Sequence, residues 1–500
     1  MSSSAHRGRI LHFLGDPAKL GDKAWEYFED GLLWIEHGHV RALDHATYLL
    51  PQLPADLPLE EHPQRLLLPG FVDCHVHYPQ LGVIASYGTQ LLDWLETHTF
   101  PAEQRFADAG YAAAQAELFL DELLRHGTTT ALVFGTVHAV SAEAFFQAAQ
   151  KRRLRMIAGK VLMDRNAPPA LCDTAASGYA ESRALIERWH GNGRLQYAVT
   201  PRFAPTSSPE QLAAAARLLD EYPGVYLHTH LSENLKEVAW VGELFPQAQD
   251  YLDVYHRAGL VGERSVFAHG IHLSERECRC LAHKNAALAH CPSSNLFIGS
   301  GLFDLGRAQQ YGIRVGIGSD VGGGTSLSLL ANLADAYKIQ QLRGTSLDPF
   351  QALYLATLGG ARALDLDGLV GNFLPGREAD FVALDLAATP MIAQRMEHAR
   401  GLADTLFVLN TLGDDRAVAE TWVMGGAAPC EGVRASFPRW LGPSLHATSS
   451  RRREKTPFGG RPKLASLHPR PHDTATASRN RSSTRFGRRP LRVTMVSAMA

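Results

Sequence analysis

Long hydrophobic runs are missing from this 500-residue sequence: nowhere do the ~18 apolar residues needed to span a bilayer follow one another, so no membrane partner is expected. The opening MSSSAHRGRILHFLGD lacks the apolar core of a signal peptide, which makes a cytoplasmic protein the expectation. Cysteine is scarce as well. Cys74, Cys172, Cys278, Cys280, Cys291 and Cys430 are irregularly spaced and form no C-x-x-C pair, which argues against a disulfide scaffold, a zinc ribbon and a thioredoxin-type redox site. An excess of charge is also absent: 49 Lys+Arg against 51 Asp+Glu leave a net charge of -2. Nothing global therefore asks for nucleic acid. No G-x-G-x-x-G follows the first strand candidate, which removes the main reason to expect a dinucleotide fold.

The balanced charge conceals an asymmetry. Residues 441–500 hold 13 Lys+Arg and 2 Asp+Glu, leaving 36 basic and 49 acidic residues on 1–440. This Arg-, Ser- and Pro-rich tail has little to bury and is expected to stay disordered. It reads as an appendage dispensable for the core, with an arm for an acidic partner as the alternative.

From 66 to 371 short apolar runs alternate with amphipathic stretches. The strand-like runs are 65–77, 128–135, 155–163, 195–203, 225–232, 265–273, 286–295 and 313–321; helix-length segments include 110–126, 140–153, 208–221 and 274–284. Eight strands in regular alternation with helices predict an α/β fold with a (β/α)8 TIM-like barrel over 66–371. Residues 1–65 and 372–440 have a different texture: GLLWIEHGHVRAL (31–43) reads as a hairpin, and GNFLPGREADFVALDL and ETWVMGGAAP as further β segments. They are expected to form one small β-sandwich domain built from both chain ends.

Barrels of this kind place their chemistry at the carboxyl ends of the strands. His75 and His77 end the first strand and, two apart, face the same way. His230, His269 and Asp320 close three later strands. Histidines with a carboxylate suit a mononuclear zinc or iron site completed by water. Any one of these residues alone reads more simply, as a core histidine or a capping aspartate; five at strand ends, in strand order, read as a metal site. Glu233, three residues past His230, is either a cap for the next helix or a proton shuttle beside the metal water.

LPGFVDCHVHYPQ (68–80), THLSEN (229–234), AHG (268–270), HCPSSN (290–295) and GIGSDVGGG (316–324) resemble segments of the amidohydrolase superfamily. LLDWLETHTFPAEQRF (91–106), HGTTTA (126–131), GKVLMD (159–164), VTPRFAPTSS (199–208), ATLGGARALDLDGLVGNF (356–373) and LNTLGDDRAV (409–418) resemble its guanine deaminases in particular. That resemblance implies hydrolytic deamination of guanine to xanthine and ammonia by a metal-bound hydroxide. It implies one Zn2+ per chain, or Fe2+, held by His75, His77, His230 and Asp320, with Glu233, Asp320 and His269 catalytic. The purine would be bound by His77, Tyr78, Pro79, Gln80, Arg202, Phe203, His230, Leu231, Ser232, Glu233 and Asp320. Arg202 would approach the ring carbonyl, Phe203 the ring face, and Gln80 would donate to the base. The resemblance further implies a homodimer. No Lys ends the fourth strand to bridge a second metal, and the H-x-E with P-C-x-x-C of the other zinc deaminases is lacking. Two other readings stay open: an amidohydrolase acting on another amino- or chloro-substituted heterocycle, and a metal-free barrel serving as a scaffold.

Overall fold

The computed structural model describes residues 3–88 and 90–428; the basic tail expected at 441–500 lies outside them. β1 (Ser4–Phe13), β2 (Trp25–Glu36), β3 (His39–His45) and β4 (Leu59–Pro69) open the chain. The expected hairpin is the antiparallel β2–β3 pair, turned by His37 and Gly38 at φ 52° and 81°. Two left-handed residues in a row match the twist of the strands they join.

The parallel strands then follow: β5 (Phe71–His77), β6 (Thr128–Phe134), β7 (Arg155–Gly159), the two-residue β8 (Val161–Leu162), β9 (Gln196–Pro201), β10 (Tyr226–Leu231), β11 (Ser265–His269), β12 (Ala287–His290) and β13 (Arg314–Ile317). They pair in chain order from β5 to β13, with β8 attached to the side of β9. Backbone hydrogen bonds from Asp320 N to His75 O (2.8 Å) and from His77 N to Val321 O (3.0 Å) join the chain after β13 to β5 and nearly close the barrel. All seven residues of β5 and of β6 are buried, as parallel strands covered on both faces require. The run 65–77 divides at Gly70, where a Cβ would lie 2.1 Å from the Thr129 hydroxyl, so only glycine lets the chain pass from β4 into β5.

The expected helices are present as Ala109–Arg125, Ala139–Arg152, Pro209–Glu221 and Glu275–His283. The first starts where the Asp108 side chain accepts from Tyr111 N, and it buries Ala112, Ala116, Phe119, Leu120 and Leu123 along one face. No helix among the described residues is long and apolar enough to cross a membrane. Cys74, Cys172, Cys278, Cys280 and Cys291 are all free thiols.

β14 (Phe381–Asp385), β15 (Val418–Val423) and β16 (Gly426–Ala427) end the described chain. The β structure built from both chain ends is separate from the barrel, as expected, and its strands pair in the mixed order β16-β15-β14-β4-β1-β2-β3. β4 joins the two ends: it pairs with β14 on one side and with β1 on the other. Helices Pro390–Met396 and Leu402–Leu412 lie between β14 and β15 and were not anticipated.

Within this sheet His6 and His62 stack 5.3 Å apart, with Trp422 and Phe381 edge-on to His6. Burial, then the neighbouring imidazole, lowers the pKa of His6 to about 3; burial, then Arg65, lowers that of His62 to about 4. Both therefore fold neutral, whereas the unfolded chain takes up protons near pH 6.5, so their contribution to stability is intact above that pH and declines as pH falls through 6.5 toward 4. The melting temperature should drop between pH 7 and pH 5, and drop less in a His6→Asn/His62→Asn variant; equal drops in thermal melts of the two proteins would contradict this.

Candidate active site

The carboxyl ends of β5, β10 and β11 and the turn after β13 bring His75, His77, His230, His269 and Asp320 together in one cluster, all buried except the partly exposed His230. His75 Nε2 and His77 Nε2 lie 3.1 Å apart, and Asp320 Oδ1 is 3.1 Å from the first and 3.2 Å from the second. Ligand atoms ~2.0–2.1 Å from one tetrahedral ion are roughly 3.3 Å from each other, so these separations fit a shared metal. His75, His230, His269 and Asp320 each offer a donor atom within 4.8 Å of the others. The His230 ring is held from behind, its Nδ1 donating to Arg202 O at 2.6 Å, which leaves Nε2 free as a ligand. His75 Nδ1 sits 2.7 Å from His228 Nε2 in the same way.

The backbone is bent to make this meeting possible. Ser232, His269 and Asp320 adopt left-handed φ values of 48°, 70° and 49° just where their strands end, a conformation that L-residues tolerate only when the surroundings hold it. Asp73 helps to hold it: one carboxylate oxygen accepts from His75 N (3.1 Å) and Ser319 N (3.0 Å), the other from Ser319 Oγ. Gly324 is needed beside it, since a Cβ there would lie 1.8 Å from Ser319 O.

Electrostatics divide the two carboxylates over the cluster. Burial would raise Asp320, but the His75 charge and hydrogen bond, the His77 hydrogen bond and the His269 charge hold it well below the usual carboxylate range. Burial, reinforced by the Asp320 charge, pushes Glu233 up to about 8. Glu233 is not a helix cap, for Asn234 caps the following helix. Its Oε1 accepts from Ser300 Oγ at 2.9 Å and its Oε2 faces His269 Nε2 at 3.3 Å. His269 Nδ1 is 3.0 Å from Asn295 Oδ1, which fixes the ring so that Nε2 looks inward.

A cavity opens over this cluster. Gln80, Arg202, His77, His230, Glu233, His269 and Asp320 supply its polar wall; Leu91, Trp94, Leu95, Phe203 and Ile298 supply an apolar one. Tyr78, Pro79, Leu231 and Ser232 do not line it. The Tyr78 hydroxyl donates to Ser141 O and its ring packs on Phe106 and Phe145. Pro79 starts the short turn Tyr78–Val83, Leu231 alternates with His230 and so faces the core, and Ser232 contributes its carbonyl to Ile271 N and His272 N. Cys291 is no ligand; its thiol donates to Ala289 O. Sequence reasoning passed over His228, Asn295, Ser300 and Glu103. Only His228 left a signal, since it repeats two residues before His230 the H-x-H alternation of 75 and 77.

The amidohydrolase family pattern matches residues 66–428. Guanine deaminase of Escherichia coli K12 is 53% identical over 416 residues, 83% of this chain and 94% of that protein. The chain belongs to the amidohydrolase family, among the guanine deaminases. The solved E. coli guanine deaminase superposes with a TM-score of 0.83 at 50% identity, covering 85% of this chain and 99% of that one. Guanine deaminase of C. acetobutylicum, solved with guanine bound in its active site, gives 0.77 at 26% identity over 85% and 100% of the two chains. Members of this amidohydrolase family depend on metal, and the His/Asp cluster at the strand ends is a group able to hold one here.

Replacing His75 by Ala should abolish metal binding. Replacing His228 by Ala, which removes only the support behind His75, should weaken metal affinity about 10–100-fold. Chelator competition followed by elemental analysis checks both; undiminished affinity in the His228 variant would show that His75 needs no such support.

Proposed function

We infer that this protein deaminates guanine hydrolytically to xanthine and ammonia. The observation that carries the reading is the pairing, in one cavity, of a metal-ligand cluster with a protonatable carboxyl beside it and an arginine–phenylalanine wall opposite. It is joined by 53% identity to a curated guanine deaminase along nearly that protein's whole length. His75, His77, His230 and Asp320 would hold one Zn2+, or Fe2+, per chain. Bound there, the ion acidifies a water so that the attacking oxygen is available near neutral pH.

The residues do the rest. Asp320 has one oxygen, Oδ1, committed to the His75–His77 pair, while Oδ2 lies 3.7 Å from His269 Nε2. Oδ2 is the base that takes the proton released as the water attacks C2 of the purine. Glu233 enters protonated, as burial favours, and gives its proton to N3, relieving the charge that attack places there. Collapse reverses the roles: Glu233 takes the proton of the new hydroxyl, and Asp320 passes its proton to the amino group, which leaves as ammonia. His269, fixed by Asn295, steadies the attacking oxygen. Phe203, buried and edge-on to Trp240, offers a ring face to the flat base. Arg202 supplies donors for its carbonyl.

A free barrel acting as a scaffold has no use for a filled ligand set and a raised carboxyl. A cytoplasmic homodimer belongs to the same reading and rests on the family likeness. With guanine as substrate, absorbance should report its conversion to xanthine. Glu233→Gln should keep its metal but lose kcat by about 10²–10⁴-fold; near-normal turnover in that variant would remove Glu233 from the mechanism.

A further inference from the structure

The segment LLDWLETHTFPAEQRF contributes more than an apolar wall. It folds into a tight helical turn ending in the helix Phe100–Gln104, whose Glu103 is completely buried. Both carboxylate oxygens of Glu103 accept from a single nitrogen, Arg202 Nη1, at 2.9 and 2.8 Å. Gln80 Nε2 donates to the same carboxylate at 3.0 Å and lies 3.1 Å from His77 Nδ1. One acidic side chain thus grips a cavity residue from the end of β9 and another from the turn after β5.

Three physical consequences follow. First, Arg202 is almost wholly buried, and an unpaired guanidinium there would be strongly unfavourable; Glu103 neutralises it. Second, the grip is one-sided. Nη1 makes both bonds to the carboxylate, whereas Nε and Nη2 of Arg202 have no acceptor among the described residues, and Arg202 lines the cavity. Third, the guanidinium lies over the Phe100 ring at 5.4 Å, so its plane is fixed as well as its position. The outcome is a neutral ion pair whose Nε and Nη2 nitrogens keep their N–H donors, a device suited to a carbonyl oxygen on an uncharged heterocycle.

We propose that Glu103 is the positioning residue that sets substrate selectivity: through Arg202 it makes the cavity prefer a purine carrying a ring carbonyl over one that lacks it. This rests on the guanine reading above, yet it is tested without turnover. Calorimetric titration of the metal-loaded protein with hypoxanthine, which has the carbonyl, and with purine, which has no substituents, gives a preference ratio. The wild-type ratio should be roughly ten- to hundredfold, the size expected of a hydrogen bond to a charged group. In Glu103→Gln it should fall towards one with metal content unchanged, and Glu103→Asp, which keeps the charge, should restore most of it.

A merely structural Glu103 would weaken both ligands equally and leave the ratio standing, which overturns the proposal; so does a wild-type ratio near one. If Glu103→Gln does not fold, the Arg202→Met/Glu103→Gln protein, neutral at both positions, takes its place. A ratio near one there shows that the carbonyl preference runs through the Arg202–Glu103 pair, and a wild-type ratio contradicts the proposal. Guanine turnover by the wild type is measured separately: a protein inert to guanine that keeps its carbonyl preference would sink the deaminase reading and leave the role of Glu103 intact.

Discussion

Asp320 ties the end of the barrel to its beginning, and the site depends on that tie. Its backbone N–H donates to the carbonyl of His75 while its carboxylate meets the imidazoles of His75 and His77. The contact that closes the sheet therefore also sets the spacing of the donor atoms. Asp73, reaching from β5 to Ser319, reinforces the same junction from below. Loosening it would open the barrel and separate the ligands together, which is why left-handed backbone is tolerated at Asp320, His269 and Ser232.

Burial gives the cluster its chemistry. Burial leads in lowering His77, to about 3, and His230, well below its usual range, which favours the neutral imidazole that binds metal. The same burial raises Glu233, so two carboxylates facing one cluster hold opposite protonation states. The buried Arg202 guanidinium is paired with Glu103. The polar groups of the cavity thus fall into two assemblies, the histidine–carboxylate cluster and the Glu103–Arg202–Gln80 group.

Much of this was legible in the sequence, and what was not has a physical cause. Parallel strands buried on both faces leave plain apolar runs, and polar residues at their ends stand at fixed places in those runs, so the eight strands and the clustering of His75, His77, His230, His269 and Asp320 could be read directly. Leu231 was also readable, since its alternation with His230 turns it to the core, but closeness in sequence was given more weight. Tyr78 was not, because the turn that swings its ring onto Phe106 and Phe145 is set by distant helices. Glu103 lies on no strand, and its importance exists only once Arg202, 99 residues away, is folded against it. The strand order of the β domain was hidden for the same reason: the β4–β14 pairing joins residues near 68 to residues near 382.

On the proposed reaction, one metal ion held at the junction Asp320 closes makes this cavity an enzyme. The decisive measurement strips the wild-type protein with a chelator and titrates zinc or ferrous iron back while guanine turnover is followed. Activity should be absent from the stripped protein and rise linearly to a plateau at one equivalent per chain. Turnover that survives complete metal removal, or that saturates only at two equivalents, would rule out a single catalytic ion.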